Sequence, residues 1–259
     1  MTDQSVIYEK VGEHIAVVTI NRPDARNAIS ASVANGIDEA VKASEADPDV
    51  WAVILTGAGE KAFCAGADLK AIAAGEWKSL STKDGGFGGL TRAERSKVWI
   101  AAVNGAAVAG GCELVLSCDL VVAEERAVFG VPEVKRGLAA LAGGMFRLPR
   151  ALPKAIAMEL IATGGVLSAE RAATLGFVNR VVANGEARTS AIAFAEEICA
   201  NAPLSVRESL MIARKAYDLD EETLWRLSAE AGRRIFKSED VKEGPRAFIE
   251  KRPPQWKGR

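Results

Sequence analysis

Histidine is almost missing: the 259-residue chain has one, His14, alongside two tyrosines and four cysteines. A Ser-His-Asp triad would have to run through that imidazole, and no second one exists to share a metal ion. His14 lies between two apolar runs near the N-terminus, the place of a strand or turn residue with no chemical role. Net charge is equally scarce, with 33 basic against 34 acidic side chains and a balance of −1. Such a chain carries no broad attraction for nucleic acid or for an anionic membrane surface, and a small molecule is the expected partner. Cys64, Cys112, Cys118 and Cys199 form no CxxC pair, so reduced thiols are expected rather than disulfides. The longest stretch without a charged residue, Val98 to Cys112, has fifteen residues interrupted by Asn104 and three glycines, too short to cross a bilayer. The opening MTDQSVIYEK has neither a basic nor an apolar leader segment, so a cytoplasmic location is expected. GxGxxG does not occur, which removes the dinucleotide fingerprint. If the chain is an enzyme, its acid and base are expected to be carboxylates.

The hydrophobic pattern alternates between strand and helix. Val6–Lys10 and Ile15–Ile20 predict a β-hairpin. Val33, Ile37 and Val41 recur every four residues and predict a helix from Ser30 to Ala46, with Ser30 or Ser32 as N-cap. Trp51–Thr56, Val98–Val103, Leu120–Ala123 and Val178–Val182 read as short buried strands, and Gly110–Asp119 as a helix. This order predicts an α/β fold with largely buried strands. From Glu186 onward strand signals give way to charged amphipathic helices over 186–200, 204–217, 220–236 and 238–250. The stretch Gly75–Leu90 contains four glycines around Phe87 and reads as a mobile loop, either a lid or a plain linker.

Three segments could carry chemistry. Ala62–Lys70 follows a strand and holds small residues at 62, 65, 66 and 67, which leaves main-chain amides uncovered for an anion or oxyanion. A tight turn needing small residues for packing accounts for this segment equally well. In Val103–Leu114 a strand runs into a glycine-rich turn and a helix, so the Gly110 and Gly111 amides are among the unpaired first-turn donors and Glu113 lies one turn on. Taken alone, Glu113 also fits as a first-turn acid complementing the helix dipole. The third, Val128–Glu133, sets Glu133 after Pro132 among apolar neighbours, where burial would raise its pKa; pairing with Lys135 or Arg136 at the surface is the alternative. Together, two backbone-donor turns and two glutamates make a plausible site for generating an enolate-like anion and moving protons around it.

These residues resemble the crotonase (enoyl-CoA hydratase/isomerase) family from about Val6 to the C-terminus. The resemblance rests on NRPDARNA (Asn21–Ala28), AFCAGADLK (Ala62–Lys70), AAVNGAAVAGGCELVLSCD (Ala101–Asp119), FGVPEVKRGL (Phe129–Leu138), ATGGVLSAERAATLGFVNRVV (Ala162–Val182) and AFIEKR (Ala247–Arg252). It implies a β-β-α spiral core over residues 1–199 and a C-terminal helical trimerisation region over 200–259, assembled as a homotrimer or a dimer of trimers. It implies an oxyanion hole from the amides of Ala67 and Gly110, and catalysis by Glu113 and Glu133. Water would then add to a trans-2-enoyl-CoA without metal or redox cofactor, coenzyme A being part of the substrate. The backbone of Ala65, Gly66, Ala67, Asp68 and Leu69 would hold the adenine and pantetheine. Lys70 and Lys251 would meet the CoA phosphates, with Phe248 and Lys251 reaching a neighbouring subunit's nucleotide. One departure stands out: where hydratases commonly have Pro-Gly-Ala-Gly-Gly, this chain has Ala140–Leu141–Ala142–Gly143–Gly144, which bears on the acyl group accepted. Gly85–Thr91, Arg147–Pro149 and the C-terminal Glu250–Arg259 resemble the carnitinyl-CoA dehydratases of the family; isomerase chemistry on the same fold is a further alternative. Some relatives bind RNA through a basic early helix, but the 30–46 helix here has one lysine against Asp38, Glu39 and Glu45.

Overall fold

The structure, a computed structural model, describes residues 4–259. The first residues of the opening segment, Met1–Asp3, lie outside the described residues. Strands β1 (Val6–Val11) and β2 (Ile15–Ile20) pair antiparallel as the hairpin expected from their β-branched runs. His14 sits in their turn, stacked on Trp51 with centroids 3.5 Å apart. β2 then pairs in parallel with β3 (Ala52–Gly57), and β7 (Val98–Val103), β9 (Leu120–Glu124) and β12 (Arg180–Val182) extend the sheet in the order β1-β2-β3-β7-β9-β12. Alternate residues of β2 feed two cores, with Ala16, Val18 and Ile20 on one face and Ile15 and Val17 on the other. Both faces are covered, which is why the central strands read as unbroken apolar runs.

Helix α1 (Ala31–Ala46) is capped by Ser30, whose hydroxyl accepts from the Val33 N–H at 3.3 Å. It buries Val33, Ile37 and Val41 on the larger core, each side chain contributing about 2 kcal/mol of transfer free energy. On the opposite face lies α7 (Ala187–Cys199), which presents Ala187, Ala191 and Ala195 at four-residue spacing to β3, β7 and β9. Three more helices, α8 (Pro203–Ala213), α9 (Glu221–Ile235) and α10 (Asp240–Glu250), complete the C-terminal region; the Arg234–Glu208 pair ties α9 to α8, and Arg252 folds back on Glu243 of α10. No helix among the described residues is long and apolar enough to cross a membrane.

Four very short strands form a second sheet in the order β11-β10-β8-β4: β4 (Ala62–Cys64), β8 (Ala106–Val108), β10 (Val128–Gly130) and β11 (Leu167–Ser168). Each has only two or three residues, below what a period-two pattern can mark, so the sequence reading contains none of them. Between the sheets and the C-terminal region run α2 (Leu69–Ala73), α3 (Gly110–Val115), α4 (Gly144–Ala151), α5 (Lys154–Thr163) and α6 (Ala169–Thr174).

Two expectations are corrected. The helix expected over 110–119 stops at Val115, because the Ser117 hydroxyl donates to the Glu113 carbonyl and the Asp119 N–H leaves for the Trp99 carbonyl of β7. The stretch 75–90 is not an unstructured loop. It folds into a 3-10 turn and a small hairpin of β5 (Ser81–Thr82) and β6 (Gly86–Phe87), tethered by Thr82 donating to the buried Asp38 at 2.9 Å. Gly89 is demanded by contact: a Cβ there would come within 2.2 Å of the Ala34 carbonyl oxygen.

Candidate active site

The short sheet aims two main-chain amides into one cavity of about 1010 Å³. Ile29 bridges to the extended residue Ala67: the Ile29 N–H donates to Gly66 O at 2.8 Å, and the Asp68 N–H donates to Ile29 O at 2.9 Å. Those two flanking groups face Ile29, so the Ala67 N–H points from the opposite edge, toward the cavity that Ala67 lines. Gly110 begins α3 and its N–H has no carbonyl four residues back to meet. Neither amide has a hydrogen-bond partner among the described residues. The preceding Ala109 holds φ +52° and ψ −131°, a conformation that suits glycine and costs a non-glycine residue on the order of 1–3 kcal/mol. It is held there because its N–H donates to Gly130 O of β10 at 2.9 Å while its carbonyl accepts from Glu113. The strain turns the chain from β8 into α3 and directs the Gly110 amide. Gly66 and Gly110 must both be bare: a Cβ on Gly66 would lie 2.8 Å from Ala109 Cβ, and one on Gly110 would lie 2.4 Å from the ring of Phe87.

Two carboxyls face the same space. Glu113 is buried, at 3% exposure, and its Oε1 accepts from the Gly144 N–H at 2.9 Å. Loss of water pushes its pKa up to about 7; the nearby Glu133 adds to the rise, and the Gly144 amide and Arg147 moderate it. Glu133, in the 3-10 turn Pro132–Arg136, is raised as well by burial, and its Oε2 is shielded from solvent with no hydrogen-bond partner among the described residues. That orphaned oxygen favours the protonated acid, which can donate to a ligand. The thiols of Cys64, Cys112 and Cys118, all free, are pushed up to about 12 by burial, which removes thiolate chemistry near neutral pH.

Of the residues expected at the site, Ala65, Ala67, Leu69, Gly110, Glu113, Glu133 and Leu141 line the cavity, Leu141 as an exposed rim residue. Gly66 supports Gly110 from behind. Asp68 instead caps α2 by accepting from the Lys70 N–H and pairs with Arg22 at 3.1 Å, and Lys70 lies outside the cavity. Phe248 and Lys251 sit at the end of α10, also outside it. The sequence reading missed Phe87, Ala109, Gly144 and Arg147 as parts of the site. Only the run of small residues around Ala109 and the glycine pair at 143–144 hinted at them. Arg147 donates to Ser117 Oγ at 2.6 Å and to the Thr91 carbonyl at 2.7 Å.

Comparison with known proteins points the same way. The family described as enoyl-CoA hydratase/isomerase matches residues 10–259. A carnitinyl-CoA dehydratase of Salmonella agona is 42% identical over 250 residues, 95% of either chain. Among solved structures, an enoyl-CoA hydratase from Mycobacterium marinum superposes with a TM-score of 0.94 at 46% identity, covering 99% of this chain and 100% of that one. A carnitinyl-CoA hydratase from Mycobacterium avium does so with a TM-score of 0.79 at 47% identity, covering 100% of both.

Proposed function

The chain belongs to the enoyl-CoA hydratase/isomerase family, and on that premise we propose that it is an enoyl-CoA hydratase, adding water reversibly to a trans-2-enoyl-CoA to give the 3-hydroxyacyl-CoA. The observation that carries this reading is the convergence of two unpaired amides and two solvent-shielded carboxyls on one cavity. The thioester oxygen would lie between the Ala67 and Gly110 N–H groups. As water attacks the β-carbon, charge builds on that oxygen and the amides stabilise it; a lost donor of this type costs roughly 3–4 kcal/mol of barrier. Glu113 takes a proton from the attacking water while its second oxygen stays fixed by Gly144. Glu133 delivers a proton to the α-carbon, and the roles reverse in dehydration. The substrate is an acyl-CoA thioester, and the assembly is proposed to be a homotrimer or a dimer of trimers.

Bleaching of the enoyl-thioester absorbance of crotonyl-CoA tests the reading directly. Glu113→Gln and Glu133→Gln are each expected to slow turnover by at least a hundredfold with little change in CoA affinity. A folded protein inert toward enoyl-CoAs of several lengths would sink it. The 42–47% identity to proteins named for carnitinyl-CoA supports a second reading, dehydration of a thioester carrying a quaternary ammonium. Isomerisation would show as product of unchanged mass, whereas hydration adds one water.

A further inference from the structure

Glu113 is held at both ends by one short helix. At its carboxyl, Oε1 accepts from the Gly144 N–H at the start of α4. At its main chain, the carbonyl accepts from the Ser117 hydroxyl at 2.7 Å, and that hydroxyl accepts in turn from Arg147, one turn further along α4, at 2.6 Å. A serine hydroxyl has one proton. With that proton committed to Glu113, the oxygen is left as an acceptor, and a guanidinium, which only donates, completes it. Ser117 is buried, at 7% exposure, and lies two residues past the end of α3. There it satisfies a carbonyl that the last turn of a helix cannot satisfy for itself.

Two guanidiniums meet at Ser117. Its carbonyl accepts from Arg95, whose own carbonyl is held at 2.6 Å by Arg214 at the end of α8. Among the described residues Arg95 and Arg147 bond only neutral oxygens, Arg95 that of Ser117 and Arg147 those of Ser117 and Thr91. The charged and titratable groups around Arg147 are Arg95, Glu113, Arg150 of α4 and the Cys118 thiol, which burial pushes up to about 12 and so keeps neutral. Those around Glu113 are Glu133 of the 3-10 turn, Arg147 and the neutral Cys112 thiol of α3. Burial above all, and then Glu133, favour the proton on Glu113, whereas the Gly144 amide and Arg147 favour the carboxylate. Arg147 is the one cation in that set, so where it is held affects how readily Glu113 ionises.

We propose that Ser117 is a positioning residue: by fixing the Arg147 guanidinium beside Glu113 it orients that carboxylate and sustains its ionised form, without touching substrate. This rests on the reading of Glu113 as the base of a hydratase, and one arm of the test therefore needs no turnover. Ser117→Ala removes the hydroxyl and little volume. With crotonyl-CoA the acid midpoint of kcat/KM is expected to move up by about half a pH unit, so the loss at pH 6 should exceed the loss at pH 8.5 about threefold. Calorimetric binding of butyryl-CoA, a saturated analogue, should stay within about twofold of wild type, because Ser117 lines no part of the cavity. A serine that merely supports the fold would cut activity by the same factor at every pH. Without turnover, the margin by which Glu113→Gln outlasts Glu113 in urea at pH 8 reports the cost of ionising the buried carboxyl, and it should be wider in the Ser117→Ala background. Where Ser117→Ala fails to fold, Ser117→Cys, of similar size but a weak acceptor, carries the same measurements. A midpoint that stays in place in a folded variant, a urea margin that does not widen, or a tenfold loss of butyryl-CoA affinity would each overturn the proposal. A wider margin in a protein that hydrates no enoyl thioester would support the link from Ser117 through Arg147 to Glu113 while removing the hydratase reading.

Discussion

Glu113 illustrates how one residue links fold stability to chemistry. Its folded pKa of about 7 lies above the ordinary carboxyl value, so the folded state holds the proton more tightly than the unfolded chain. The stability this gives is complete below the unfolded pKa and is lost as pH rises through the folded one. Glu113→Gln keeps the neutral form at every pH and can still accept from Gly144. Urea unfolding between pH 4.5 and 8 is therefore expected to show the variant ahead of wild type by a margin that widens with pH, to about 3 kcal/mol. A margin independent of pH would mean that the carboxyl titrates normally. The same value would set the catalytic profile: in its proposed role as the base, Glu113 must be ionised, so kcat/KM should fall about tenfold per unit below pH 7. Because Glu133 faces it, the observed values belong to the pair.

At the scale of elements, the site depends on α3, a helix of six residues that could not persist alone. What fixes it is contact with β4: a Cβ on Gly111 would lie 2.0 Å from the Cys64 carbonyl oxygen. Gly111→Ala is expected to cost more than 3 kcal/mol in thermal unfolding, because backbone must move. Gly110→Ala collides instead with the Phe87 ring, a side chain that can be removed. Alone it should cut turnover more than tenfold; joined to Phe87→Ala it should recover part of that loss, and equal activity of single and double variants would show that Phe87 does not press on the amide. These contacts also mark what the sequence could reveal. The α1 stripe, the buried strands of the large sheet and the glutamates beside their glycine-rich turns were legible because each has a local pattern. The 75–90 stretch was misread as a loop because glycines that locally signal mobility serve close approach to residues distant in sequence, Gly88 to Leu114 and Gly89 to Ala34. Ala109 showed only as one of a run of small residues, since its strained φ is imposed by its partner Gly130 on β10 and not by its side chain. Arg147 shows in the sequence only as part of a family-like segment, and its place beside Glu113 emerges once Ser117 and Thr91 are seen to hold it.

For the whole molecule, the C-terminal helices leave Trp225, Phe236, Phe248 and Ile249 between 69% and 85% exposed, a quantity of apolar surface expected to be covered by other copies of the chain. Lys251 ends α10 outside the cavity of its own subunit, so a role at the nucleotide requires that it act across an interface. That dependence can be separated from a role within one subunit by mixing variants. In a Lys251→Glu oligomer every site would lack the lysine proposed to face the phosphates and KM should rise several-fold; in a Glu113→Gln oligomer every site would lack the proposed base. When the two are unfolded and reassembled together, a Lys251→Glu subunit with an intact Glu113 can sit beside a Glu113→Gln subunit with an intact Lys251. Random mixing in equal amounts would make about a quarter of all sites whole in this way, if each site draws its lysine from one neighbour. A low-KM population absent from both parents is the expected outcome. If Lys251 served its own subunit, no mixed pair could be whole, and the kinetics of the mixture would be the plain average of its parents.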